Sequence, residues 1–142
     1  LLDRIDMHVE VPPVAHSRLL DPTPAESSAA VRDRVVRARR HQHARFAADP
    51  EAAECPSFGL RAGAPRPACN AQMRPPDIRL HCGMSGPARE LLLAAVRRHA
   101  LSARSYHRVL KLARTVADLE ESPSLGPEHL AEALQFRPSE PR

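Results

Sequence analysis

The chain has 142 residues, enough for one domain with a modest single core. That core must be aliphatic, because aromatic residues make up 3% of the chain, Trp is absent, and the hydrophobic 42% is largely Ala, Leu and Val. The formal charge of +4 permits contact with phosphates or nucleic acid without requiring it, and Lys111 is the only lysine, so the cations are arginines. Fifteen Pro against five Gly, most of the Pro outside periodic segments, predict helices joined by extended connections. Three cysteines without a Cys-x-x-Cys pair, and neither a signal-peptide pattern nor an apolar run of membrane-spanning length in these residues, make a reducing cytoplasm the expected compartment, with no membrane partner expected.

From Ile5 to Val11 apolar and polar residues alternate, the period of a half-buried strand, and Pro12 and Pro13 end it. A lone strand is not stable, so its partners are expected in a missing region or another molecule, with the segment from Leu1 to about Pro24 disordered in isolation. Starting at LLDRID, the chain reads as a piece of a longer protein. Residues 14–27 form a polar connector. A helix follows over about Ser28 to Ala47, with Val31, Val35, Ala38, Gln42 and Phe46 on one line and Arg32, Arg34, Arg37, Arg39, Arg40 and Arg45 around it. These six arginines are candidate nucleic-acid contacts or simply a solvated face; no aromatic residues are interleaved on which bases could stack.

Periodicity vanishes over residues 49–68, a loop long enough to be mobile or functional, and CNAQMRPPDIRLHC offers at most a short turn of helix. Ser85 to His99 is a strong helix, with Pro87 in its first turn and Ala88, Leu91, Leu92, Ala95 and Val96 buried. Almost without connection it is followed by LSARSYHRVLKLARTVADLE, Leu101 to Glu120, so the two are expected to pack as an antiparallel or steeply crossed pair. Ser102 can cap this longest helix, which puts Arg104 in its first turn, where a cation opposes the helix dipole by about 0.3 to 1 kcal/mol unless an anion sits nearby. Arg104, Arg108 and Arg114 carry the same two readings as the earlier arginines, nucleic-acid contact or a solvated face, the second being the ordinary one for a surface Arg. A last helix spans Gly126 to Phe136, and 138–142 is a tail. The fold class expected is all-α: a small bundle of about four helices with an extended Pro-rich N-terminal segment and loop.

Cys69, His81 and Cys82, or His41 and His43, lack the four-ligand spacing of a structural metal site, so no metal is expected. Arg4 precedes the strand pattern, so its side chain is expected at a sheet rim, where a fixed cation can stabilise phosphoryl transfer.

LLDRIDMHVEVPPV, ARRHQHARF, CNAQM, LSARSYHRVLKLARTVADLE and HLAEALQFR, in this order, resemble the C-terminal part of the magnesium-chelatase-like AAA+ ATPases of the YifB/ComM type. The resemblance implies a bacterial ring-forming ATPase that binds ATP and Mg through motifs upstream, since no GxxxxGKS or GxxxxGKT loop is present here. It implies that residues 1–13 are the edge of the AAA+ core and 28–137 a helical lid domain. By the same resemblance Arg4 matches an arginine finger acting on a neighbouring subunit of a homo-oligomeric ring, Arg104 matches a sensor-2 arginine, and the ring drives DNA remodelling. The rival readings are a free-standing helical DNA-binding module and the ATPase subunit of magnesium chelatase itself.

Overall fold

The computed structural model describes residues 5–14, 24–48 and 66–137. Arg4, Cys55, most of the 49–68 loop and the 138–142 tail lie outside the described residues.

Five α-helices and one short 3₁₀ turn make up the described fold: α1 (Ser28–Ala47), the 3₁₀ turn (Asn70–Gln72), α2 (Pro75–His81), α3 (Gly86–Arg98), α4 (Ala103–Leu119) and α5 (Pro127–Gln135). The architecture is all-α. The main disagreement with the periodicity concerns 70–81, where a turn and a two-turn helix stand in place of a single short turn. Pro75 and Pro76 do not break this helix; they occupy its first positions, where the missing amide proton has no intrahelical partner to lose.

Each helix start has a local chemical cause. The side chains of Ser27, Ser85 and Ser102 cap α1, α3 and α4 by accepting from the amides of Ala30, Ala88 and Ser105. At α2 and α5 the third helical residue reaches back instead. The Arg74 amide donates to Asp77 Oδ2 at 2.7 Å, and the Gly126 amide donates to His129 Nδ1 at 2.8 Å.

α4 is the centre of the bundle, burying Val109, Leu110, Ala113, Val116 and Ala117 against α1, α2, α5 and the 3₁₀ turn. The α2–α3 and α4–α5 links are joined by backbone hydrogen bonds, Ser85 N–H to Leu125 O and Leu125 N–H to Gly83 O, around the single bridge Met84–Leu125. This zip starts α3 and α5 side by side, and α3 packs chiefly on α5. The expected α3–α4 pair is therefore replaced by an indirect arrangement, with α5 as the shared neighbour.

Two stretches depart from their apolar patterns. Val31 and Val35 continue the buried line of α1 in sequence, yet they are exposed, because on that line only Ala38, Gln42 and Phe46 are buried against the bundle. The alternating Ile5–Val11 stretch forms no ladder among the described residues and runs as an irregular, largely exposed segment. It touches the bundle through the His8 amide, which donates to Phe136 O at 2.8 Å, and through an ion pair between Asp6 and Arg108.

Candidate functional site

One face of α4, from Arg104 to Leu119, borders a cleft of about 630 Å³. Its floor is apolar, from Ala38 on α1, Met73 and Ile78. Its rim is cationic, because Arg104, Arg108 and Lys111 recur every three to four residues and share one face of α4. Arg39 of α1 faces them. Asp6 and Met7 of the N-terminal segment close one side.

The rim cations are not equivalent. Arg108 Nε pairs with Asp6 Oδ1 at 2.6 Å, Lys111 Nζ donates to the Ala71 carbonyl at 2.8 Å, and Arg39 donates to Gln42 Oε1 at 3.2 Å. Arg104 is exposed and has no hydrogen-bond or ion-pair partner among the described residues. His107 stands between them with its pKa held below the ordinary imidazole value by desolvation first and then by repulsion from Lys111 and Arg79. At neutral pH it therefore offers one donor and one acceptor without adding charge. Four cations against one carboxylate leave the rim net positive above an apolar floor. No group of three or more His, Cys, Asp or Glu able to hold a metal occurs among the described residues.

Behind the cleft lies a buried polar cluster that sequence periodicity did not reveal. Asp118, 1% exposed, accepts from Arg114 Nε, from Asn70 Nδ2 at 2.7 Å and from both terminal nitrogens of Arg45. Burial works to raise the pKa of its carboxyl, but hydrogen bonds from Arg45 and Asn70 and the charge of Arg114 outweigh burial and hold it below the usual value. Arg114 was expected at the surface and is buried; its remaining donors go to the carbonyls of Ser122 and Pro123. The signal for this was an Arg and an Asp four apart, flanked by the small residues Ala113 and Ala117 of the apolar line.

Of the basic residues of α1, Arg45 turns inward to Asp118 and Asn70, which removes it from the solvated face. Arg34 pairs with Glu26 and Arg37 with Glu121, both in exposed bridges. Arg32 and Arg40 are exposed, and Arg39 borders the cleft. The structure thus separates the six arginines rather than gathering them into one surface.

A small all-α bundle organised on a central helix, with a cleft along that helix whose rim is cationic toward the helix start, is the class defined by fold and site. Residues 25–137 match the family model described as magnesium chelatase, subunit ChlI C-terminal, and the chain belongs to this family. It is 33% identical over 137 residues to the competence protein ComM of Haemophilus influenzae and 32% identical over 138 residues to YifB of Escherichia coli, covering 96% of this chain in each case. The YifB protein of Salmonella typhimurium is 28% identical over 137 residues. The chain spans 23% of the length of each of these relatives. None of the helices among the described residues is long and apolar enough to cross a membrane.

Proposed function

We propose that this chain is the helical lid domain of an AAA+ ATPase of the magnesium-chelatase-like family, and that Arg104 senses bound nucleotide from the head of α4. The observation that carries the reading is Arg104 itself: an exposed cation in the first turn of a Ser-capped helix, without a partner among the described residues, on the rim of a cleft it shares with Arg108 and Lys111. Such a cation opposes the helix dipole by about 0.3 to 1 kcal/mol, a cost that an anion beside it removes. A nucleotide phosphate, with Mg, supplies that anion in the complete protein.

In the same reading Arg4 is an arginine finger that reaches ATP held by a neighbouring subunit of a homo-oligomeric ring. A fixed guanidinium in that role contributes about 10³ to 10⁵ in rate. ATP turnover in the ring drives remodelling of DNA, for which the exposed Arg32 and Arg40 of α1 offer backbone contacts. Arg4→Ala and Arg104→Ala in the complete protein are each expected to lower ATP hydrolysis by at least about tenfold; unchanged turnover in both overturns the reading. The same exposed arginines favour the second reading, a helical DNA-binding module. Micromolar or tighter binding of this chain to DNA, weakening steeply with salt, is the outcome that selects it.

A further inference from the structure

We propose that Asp6 sets the charge threshold of the cleft: its carboxylate is an internal counter-anion on Arg108, which a polyphosphate displaces so that Arg104 and Arg108 hold it together. This rests on the reading of Arg104 as a residue that meets a phosphate. Asp6 is the one carboxylate among the described residues that line the cleft, where it stands against Arg39, Arg104, Arg108 and Lys111. Its Oδ1 lies 2.6 Å from Arg108 Nε, so the cation one turn along α4 from Arg104 already has an anion in place. Arg39 and Lys111 are held differently, by the neutral oxygens of Gln42 and Ala71, which leave their charges unneutralised.

The setting of the Asp6–Arg108 pair makes it exchangeable. Arg108 is 19% exposed and Asp6 is 70% exposed, so the guanidinium is seated on the helix while the carboxylate remains largely in water. An ion pair with one partner this exposed contributes little, because water and salt screen it. Asp118 is the contrast: it is buried and shared by Arg45, Arg114 and Asn70, and withdrawing it would strand a buried charge. Packing does not hold Asp6 in place either, since its neighbours Ile5 and Met7 are 49% and 44% exposed. The segment's backbone attachment, the His8 amide to Phe136 O at 2.8 Å, lies two residues on and need not break when the Asp6 side chain turns out.

Arg104 and Arg108 stand four residues apart on one face of α4, about 6 Å along its axis. A lone phosphate is served by Arg104 and gains little from evicting Asp6. Each further negative group is repelled by the Asp6 carboxylate while it stays, and makes a charge-assisted contact with Arg108 once it goes. Discrimination between one phosphate and several therefore lies in Asp6.

The test is calorimetric titration of the 142-residue chain with inorganic tripolyphosphate and, separately, with inorganic phosphate. Asp6→Asn is expected to tighten tripolyphosphate binding by about three- to tenfold and phosphate binding by less than about twofold. Glu90→Gln makes the same charge change on α3, which contributes no residue to the cleft, and should leave both affinities within about twofold. Arg108→Gln should weaken tripolyphosphate binding more in the Asp6→Asn background than in the parent chain, because Asp6 then no longer occupies the guanidinium. An Asp6→Asn gain that is absent, is equal for the two anions, is matched by Glu90→Gln, or survives the addition of Arg108→Gln overturns the inference. Arg104→Ala in the same titration separates the two levels. If it abolishes tripolyphosphate binding while Asp6→Asn changes nothing, only the counter-anion is refuted; if it binds like the parent chain, the reading of Arg104 falls and this inference with it.

Discussion

Arg114 and Asp118 stand one turn apart on α4, each with a side chain 1% exposed, and Arg114 Nε donates to Asp118 Oδ1 at 3.0 Å. Arg45 arrives from α1 and Asn70 from the 3₁₀ turn, while Arg114 also holds the carbonyls that follow α4. One carboxylate thus joins α1, the turn before α2, and the α4–α5 link. The motif LARTVADL, which carries much of the family resemblance, has a physical content here: its Arg and Asp are the interior pair that sets the register of the bundle.

Replacing Asp118 by Asn is expected to be among the most damaging single changes in the chain. The amide presents donors to Arg45 and Arg114 and leaves the buried Arg114 charge unpaired, a situation that costs about 3 to 5 kcal/mol. Domains of this kind have about 5 to 15 kcal/mol in total, so the urea midpoint should fall sharply. Glu26→Gln is the contrast: its bridge to Arg34 is 49% and 45% exposed, and its loss is expected to change stability by less than about 1 kcal/mol. Equal effects of the two substitutions contradict this account.

Acidification should destabilise the fold in two separate ranges. His107 has a folded pKa depressed by desolvation and then by Lys111 and Arg79, so the unfolded chain binds the proton more readily. Its contribution is present above the unfolded value of about 6.5 and is lost as pH falls through the folded value. Asp118, depressed from the usual carboxylate value, contributes above about pH 3.9 and loses that contribution as pH falls through its lower folded value. Denaturant midpoints measured from pH 8 to pH 3 should show both declines, and His107→Gln should remove the upper one. An upper decline unchanged in His107→Gln assigns it to another group.

How much of this was legible depended on the range of the interaction. α1, α3, α4 and α5 followed from period, with Pro87 in the first turn of α3 and Ser102 as the cap of α4, because caps and amphipathic faces are local. α2 was not, because seven residues hold too little period and Pro75–Pro76 suggests a break as readily as a start. Arg114 was misread because helical spacing gives a residue's face and not the depth of its surroundings. The docking of α3 on α5 depends on the Met84–Leu125 bridge, a pairing across forty residues that no local pattern encodes. Cap reasoning placed Arg104 directly: Ser102 fixed the first turn of α4, and Arg104 stands in that turn on the rim of the cleft.

Cys82 should behave as an inert thiol. It is 4% exposed, and burial pushes its pKa up to about 12 despite the opposing charges of Arg114 and Arg45. At pH 8 only about one molecule in 10⁴ then carries the reactive thiolate. Treatment of the native chain with iodoacetamide, followed by peptide mass spectrometry, should label the partly exposed Cys69 while Cys82 stays unmodified, and urea should release Cys82 at the unfolding midpoint. Labelling of Cys82 at the same rate as Cys69 in native buffer contradicts the burial.

The ends of α3 and α4 both use a left-handed residue that is not glycine: Ala100 at φ 44° and Glu121 at φ 58°. Each completes the same type of cap, with Leu101 N–H donating to Val96 O at 3.2 Å and Ser122 N–H donating to Ala117 O at 2.8 Å. The left-handed conformation costs an L-residue about 1 to 2 kcal/mol, whereas glycine adds about 0.4 to 1 kcal/mol of unfolded-chain entropy to overcome. Ala100→Gly should therefore stabilise the chain by about 0.5 to 1 kcal/mol and raise Tm by about 2 to 5 °C. Glu121→Gly relieves the same conformation but also removes the 2.8 Å ion pair to Arg37, so its gain should be smaller. Thermal unfolding followed by circular dichroism decides this: a lower Tm in Ala100→Gly means that α3 does not end through a left-handed Ala100.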